Sequence, residues 1–236
     1  MFIGHYGAAF SIKKVTPAIS LGVLFLAVQF LDLLWPTLLL LNVEHVEIAG
    51  SQTAPVPLVF TDYPYSHSMV MALAWSFAFG VVYWLFKKNR THAVILGLAV
   101  FSHWVLDLLV HLPDMPLYPG SSIMLGLAMW KFPIITGIIE GSLFVGGILL
   151  YMGATKPKNL AGSMWLYVLI ALLVISHIAN LFSPPPPSVN AVAWAGEAMW
   201  LFVILGFLAD RNRVAKDAVI TDSKRKMSSQ EAYAIE

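Results

Sequence analysis

Residues 92–112 read HAVILGLAVFSHWVLDLLVHL, and the fold follows from this stretch. It is apolar enough and long enough to cross the bilayer core as one α-helix, which takes about 20 residues rising 1.5 Å each. Within it His103, Asp107 and His111 recur at every fourth position, so a helix presents all three on roughly one face. A charged side chain at mid-membrane costs about 2.5–3.5 kcal/mol if it stays unpaired. The three groups must therefore be compensated. A neutral imidazole and a carboxylate on one helical face suit a divalent ion such as zinc or manganese. A hydrogen-bonded proton relay between helices meets the same requirement.

The surrounding composition agrees with a membrane setting. Of 236 residues, 58% are hydrophobic and 11% charged, with a mean hydropathy of +0.76; a soluble domain carries about 25% charged residues. This composition predicts an integral membrane protein. The net charge of +1 leaves no basic stripe to neutralise phosphates, which excludes nucleic acid as a partner. The chain has no cysteine, so disulfides, thiolate ligands and iron–sulfur clusters are excluded. Any metal would have to be held by His, Asp or Glu.

Apolar runs at about 18–41, 67–86, 92–112, 133–152, 164–182 and 190–208 predict an all-α polytopic bundle of about six transmembrane helices. The first run is too long for the h-region of a signal peptide and reads as a retained helix, with Pro36 placed to kink or end it just beyond Asp32. Basic residues gather at alternate ends: Lys13/Lys14, Lys87/Lys88/Arg90, Lys156/Lys158 and Arg211/Arg213/Lys216. By the positive-inside rule both termini are cytoplasmic. Residues 1–209 read as one transmembrane domain, and 210–236 as a polar tail without fixed structure.

With that topology the polar residues sort by depth. Asp32, His67, Asp107, His111, His177, Asn180 and Glu197 fall in the outer half, with His103 near the middle and Glu140 somewhat deeper. Four carboxylates (Asp32, Asp107, Glu140, Glu197) among four histidines would cost about 10 kcal/mol as lone anions, which divalent metal or shared protons can offset. The pattern predicts a cluster open to the non-cytoplasmic side. His45, in an outer loop, and His92, at a cytoplasmic helix start, read as solvated or capping residues.

The order of these residues resembles a known family. His5, then Asp32 in FLDLLWP, His67 in YSHS and His103-x-x-x-Asp107 resemble the YdjM-type family of bacterial inner-membrane metal-dependent hydrolases, whose pattern runs Thr-His, Leu-Pro-Asp-x-Asp, Thr-His-Ser, Ser-His-x-x-x-Asp. The same order is similar to zinc-dependent phospholipase C and the S1/P1 nucleases. The resemblance implies Asp32, His67, His103 and Asp107 as metal ligands, with His5 and Glu140 as members of a second site. It also implies zinc or manganese as cofactor and phosphoester hydrolysis as the reaction. The chain departs from the pattern in keeping one acid at Asp32 and in having Gly4 before His5, so one ion or two remain open. His5 precedes a cytoplasmic lysine pair, so either the first ten residues re-enter the membrane or His5 is no ligand.

Two functions compete on this reading. One is a membrane-embedded hydrolase acting on a lipid or lipid-linked phosphoester, with Glu140, His111 and Glu197 as candidate catalytic groups. The other is a proton- or cation-coupled secondary transporter using the same cluster. A transporter needs polar groups continuing to the cytoplasmic side, whereas a hydrolase needs a one-sided cup; the outer bias favours the hydrolase.

Overall fold

A computed structural model describes residues 1–49 and 56–216 of the chain. The elements run α1 (Ile3–Val15), α2 (Leu21–Val28), α3 (Phe30–Leu40), β1 (His45–Ile48), β2 (Leu58–Asp62), α4 (Pro64–His67), α5 (Met69–Lys87) and α6 (Arg90–Val110). They continue through β3 (Met115–Pro116), β4 (Met124–Leu125), a 3-10 turn at Met129–Lys131, α7 (Pro133–Ala154), β5 (Thr155–Pro157), α8 (Leu160–Phe182), α9 (Val189–Glu197), α10 (Trp200–Arg211) and β6 (Arg213–Ala215). Helices α5, α6, α7, α8 and the joined α9–α10 are each long and apolar enough to cross a membrane, and α2–α3 makes a sixth if counted as one span bent by 57°. The protein is an all-α polytopic bundle.

Local chemistry sets where the helices begin. Ser68 accepts a hydrogen bond from the Met71 amide, Asn89 from His92, Asn159 from Gly162 and Ser188 from Ala191. Each satisfies an amide that has no partner inside its helix. Pro133 opens α7, where a missing N–H costs nothing.

The first span bends at a different place from the one the sequence predicts. Pro36 lies inside α3, and the break falls before it, at Gln29 (φ −102°, ψ 7°). The Pro36 ring packs against Gly196 of α9, where any Cβ would overlap it, so α9 supports α3 around the proline. Residues 210–216, expected to belong to the tail, are instead held against the bundle. Asp210 is the partner of Lys13, with Oδ2 2.7 Å from Nζ, and accepts a bond from the Tyr151 hydroxyl. Arg213 is buried and donates to Thr155 Oγ1 and the Gly162 carbonyl, while β6 pairs antiparallel with β5. A neutralised acid and a guanidinium that donates three hydrogen bonds tie this segment to the bundle; residues 217–236 lie outside the described ones.

Helix α1 decides how the site is assembled. Ile3, Gly4, His5, Tyr6, Gly7, Ala9, Phe10 and Lys13 are all buried, and the helix packs against α7, α2 and α6. At about 1.5 Å per residue its 13 residues span about 20 Å, running from the Lys13/Lys14 end to His5 inside the bundle. The helix thus carries His5, and with it the Met1 nitrogen, into the bundle beside Asp107. Its seat on α7 is glycine-dependent: a Cβ on Gly7 would meet the Leu143 carbonyl oxygen at 2.5 Å, and one on Gly147 would overlap the Gly7 backbone. Gly7→Val is expected to push α1 off α7 at a cost of about 1–3 kcal/mol, lowering the thermal midpoint of the detergent-solubilised protein. Gly146→Ala, which meets nothing within 4 Å, should leave that midpoint unchanged.

Candidate functional site

Four ligand atoms from three separate parts of the chain converge. Asp32 on α3, His67 at the end of α4, and His103 and Asp107 on α6 each offer one atom, all within 4.8 Å of one another. Asp32 Oδ1 lies 3.4 Å from His67 Nε2 and 3.5 Å from His103 Nε2; Asp107 Oδ2 lies 3.7 Å and 3.0 Å from the same two nitrogens. His67, His103 and Asp107 are buried, and Asp32 is the most accessible member, with 22% of its side chain exposed. The Gln29 break turns α3 at the point that carries Asp32 into this group.

The neighbours of each imidazole fix which nitrogen carries the proton. His103 Nδ1 is 2.6 Å from the Val28 carbonyl oxygen, and a carbonyl only accepts, so Nδ1 holds the hydrogen and Nε2 is a lone pair in the neutral ring. His67 Nδ1 is 2.7 Å from Ser66 Oγ. That hydroxyl donates to Glu44 Oε2 at 2.6 Å, while Glu44 Oε1 accepts from the Tyr65 and Ser66 amides. Ser66 Oγ therefore accepts from His67 Nδ1–H, and His67 Nε2 is likewise a lone pair. Carboxylate, hydroxyl and imidazole form a chain that orients His67, as acids behind metal-bound histidines commonly do.

Two imidazole lone pairs thus face two carboxylate oxygens in a nearly dry place. His103 Nε2 has no hydrogen-bond partner although Asp107 is 3.0 Å away. Such an arrangement needs a positive charge at its centre, and a donor set of two nitrogens and two oxygens fits zinc or manganese.

His5 lies against the group without joining the four. Its ring stacks on His103 with centroids 3.8 Å apart and planes 8° apart, and its Nε2 is 3.1 Å from Asp107 Oδ1. The Met1 nitrogen is 2.6 Å from the same oxygen. Glu140 is close but already engaged, because its Oε2 accepts from the Phe2 and Gly4 amides and so caps the first turn of α1. His111 borders the cluster at the outer side. Its ring is 6.4 Å from that of His67 and 4.1 Å from Trp130, and Nδ1 is 3.0 Å from Asp114 Oδ1. Tyr63 also donates to Asp114, at 2.8 Å. Burial first, then the Asp114 carboxylate, pushes the Tyr63 phenol well above its usual range, so it stays a donor. Glu197 stands apart, accepting from Thr37 Oγ1 at 2.6 Å, and His177 faces the Phe2 ring at 6.3 Å.

Sequence reasoning missed Glu44, Ser66 and Asp114. Ser66 precedes a candidate ligand and Asp114 is three residues after His111, which are usable signals. Glu44 carries only the hint of a loop with acids and no base.

The fold and this cluster define a polytopic helical membrane protein with a buried His–Asp centre. Residues 63–182, about half of the chain, match the family model described as YdjM inner membrane protein. The chain belongs to that family, and the inner membrane is its location. The matched stretch holds His67, His103 and Asp107, while Asp32 and His5 precede it. No curated protein and no solved structure matches the chain.

Glu44→Ala removes the partner of two amides and a hydroxyl, of which each left unsatisfied costs about 1–3 kcal/mol. It is expected to lower the thermal midpoint far more than Glu47→Ala, whose side chain is exposed on β1.

Proposed function

We propose that this protein is a metal-dependent hydrolase of the inner membrane that cleaves a phosphoester on a lipid or lipid-linked substrate. The convergence of Asp32, His67, His103 and Asp107 within 4.8 Å carries the reading, and the likeness in motif order to zinc phospholipases supplies the reaction class. Those four residues would hold a zinc or manganese ion, which when bound supplies Lewis-acid stabilisation of charge developing on the phosphoryl group.

The chain's own residues do the rest. His5 stacks on His103 and hydrogen bonds Asp107, holding both in place. His111 has its Nδ1 held by Asp114, which leaves Nε2 as the atom to take or give a proton at the mouth. Phe60, Trp130 and Tyr63 surround His111, with ring centroids 4.9, 4.1 and 6.1 Å from its own, an apolar rim that suits an amphiphilic substrate better than a free sugar phosphate.

The transporter reading finds less support. Below the cluster, toward Lys13, the core is closed by Tyr6, Ala9, Phe10, Leu24 and Phe25, all fully buried. An apolar plug of this kind suits a one-sided cup.

Elemental analysis of the purified protein tests the reading. Wild type is expected to carry zinc or manganese at near-stoichiometric level, His103→Ala/Asp107→Ala to carry none, and Glu197→Gln to match wild type. Absence of metal from wild type would sink it. On a phosphoester substrate, His111→Asn is expected to keep its metal and lose about 10²–10⁴-fold in turnover, the usual loss for a missing proton carrier.

A further inference from the structure

Away from the cluster, α5 and α6 enclose a groove on the lipid-facing side of the bundle. The helices are antiparallel and almost touch. A Cβ on Gly80 would meet the Ala93 carbonyl oxygen at 2.9 Å, and one on Gly97 would meet that of Ser76 at 2.9 Å. Small residues make the floor, and Leu73, Phe77 and Trp84 of α5 face Val94, Leu98 and Phe101 of α6 as walls around about 540 Å³. Helix α5 buries only Ala72, Ser76 and Gly80, so it stands at the edge of the bundle. From Leu73 to Trp84 the groove runs about 17 Å at 1.5 Å per residue, ending at the cytoplasmic interface.

The cytoplasmic end is cationic. Arg90 lines the groove, and Lys88 Nζ and Arg90 Cζ lie 5.5 Å and 5.9 Å from the Trp84 ring. Lys87, Lys88 and Arg90 are exposed, and among the described residues no acid is within 4 Å of them. The first turn of α6 adds the partial positive charge of a helix N-terminus. We propose that this groove holds an acyl chain of an anionic phospholipid of the cytoplasmic leaflet, with its phosphate on the Lys88–Arg90 turn.

The argument rests on charge. Any lipid-facing groove is filled by some acyl chain, so the apolar walls cannot choose a headgroup; three uncompensated cations at the interface can. A second copy of the chain fits less well. Close helix pairing in a membrane uses small residues, and here those residues are already consumed between α5 and α6.

Native mass spectrometry of the full-length protein in detergent, with phosphatidylglycerol and phosphatidylcholine of identical acyl chains, tests the proposal. Wild type is expected to retain phosphatidylglycerol preferentially. Lys88→Asn/Arg90→Gln should reduce that preference roughly 25-fold, at about fivefold per cation; asparagine suits position 88, where φ is 53°. Lys156→Gln/Lys158→Gln, at another cytoplasmic loop, should leave it intact. Val94→Trp, filling the groove, should reduce retention of both lipids with thermal midpoint unchanged. Equal retention by wild type, a preference surviving the first double variant, lipid retention unaffected by Val94→Trp, or a dimer mass in place of bound lipid would each overturn it. Should the first double variant lose its fold, weakening of wild-type phosphatidylglycerol retention by salt decides the headgroup contact, and salt-independent retention overturns it.

Discussion

Four electron pairs pointed at one another inside a membrane are the constraint around which this protein is arranged. Neither histidine of the group can relieve it by turning a proton inward, because Val28 and Ser66 hold the hydrogens on the far nitrogens. In water the repulsion would be screened; among buried helices it is not. Only positive charge at the centre, whether a metal ion or added protons, makes the geometry favourable. The helix break, the short α4 turn and the inserted α1 bring these groups to one point, with the outer atoms of His103, His67 and Asp107 bonded.

This division of labour explains why the buried polar residues do different things. Asp107 serves the centre with one oxygen and His5 with the other. Glu140 spends an oxygen on amides of α1, and Glu44 spends both on the turn that carries His67. A buried acid that bonds backbone amides is as necessary as one that faces a ligand, because an amide left unbonded away from water is costly.

What the sequence made legible follows the same line. The periodicity that puts His103 above Asp107 is a property of any helix, so their common face could be read directly, as could the spans. The bend was misplaced because Pro36 is the conspicuous breaker, whereas the actual break at Gln29 depends on which way Asp32 must point and on Gly196 making room for the proline ring. Helix α1 was obscure because its lysines mark it as cytoplasmic while its glycines, which admit it against α7, carry no hydrophobic signal. Glu140 and Glu44 could not be assigned from residue type, since their partners are mostly backbone amides, which every residue has.

The seating of α1 makes one end of the chain depend on a helix far along it. Its main neighbour, α7, follows it by more than a hundred residues, and the carboxylate that caps its first turn belongs to α7. The seat of α1 is therefore built by residues far along the chain, with Gly147 and Leu143 of α7 against Gly7. His5 meets His103 and Asp107 on a helix whose own support comes from α7, so a change in the packing of α7 is transmitted to the centre without touching any of its four residues.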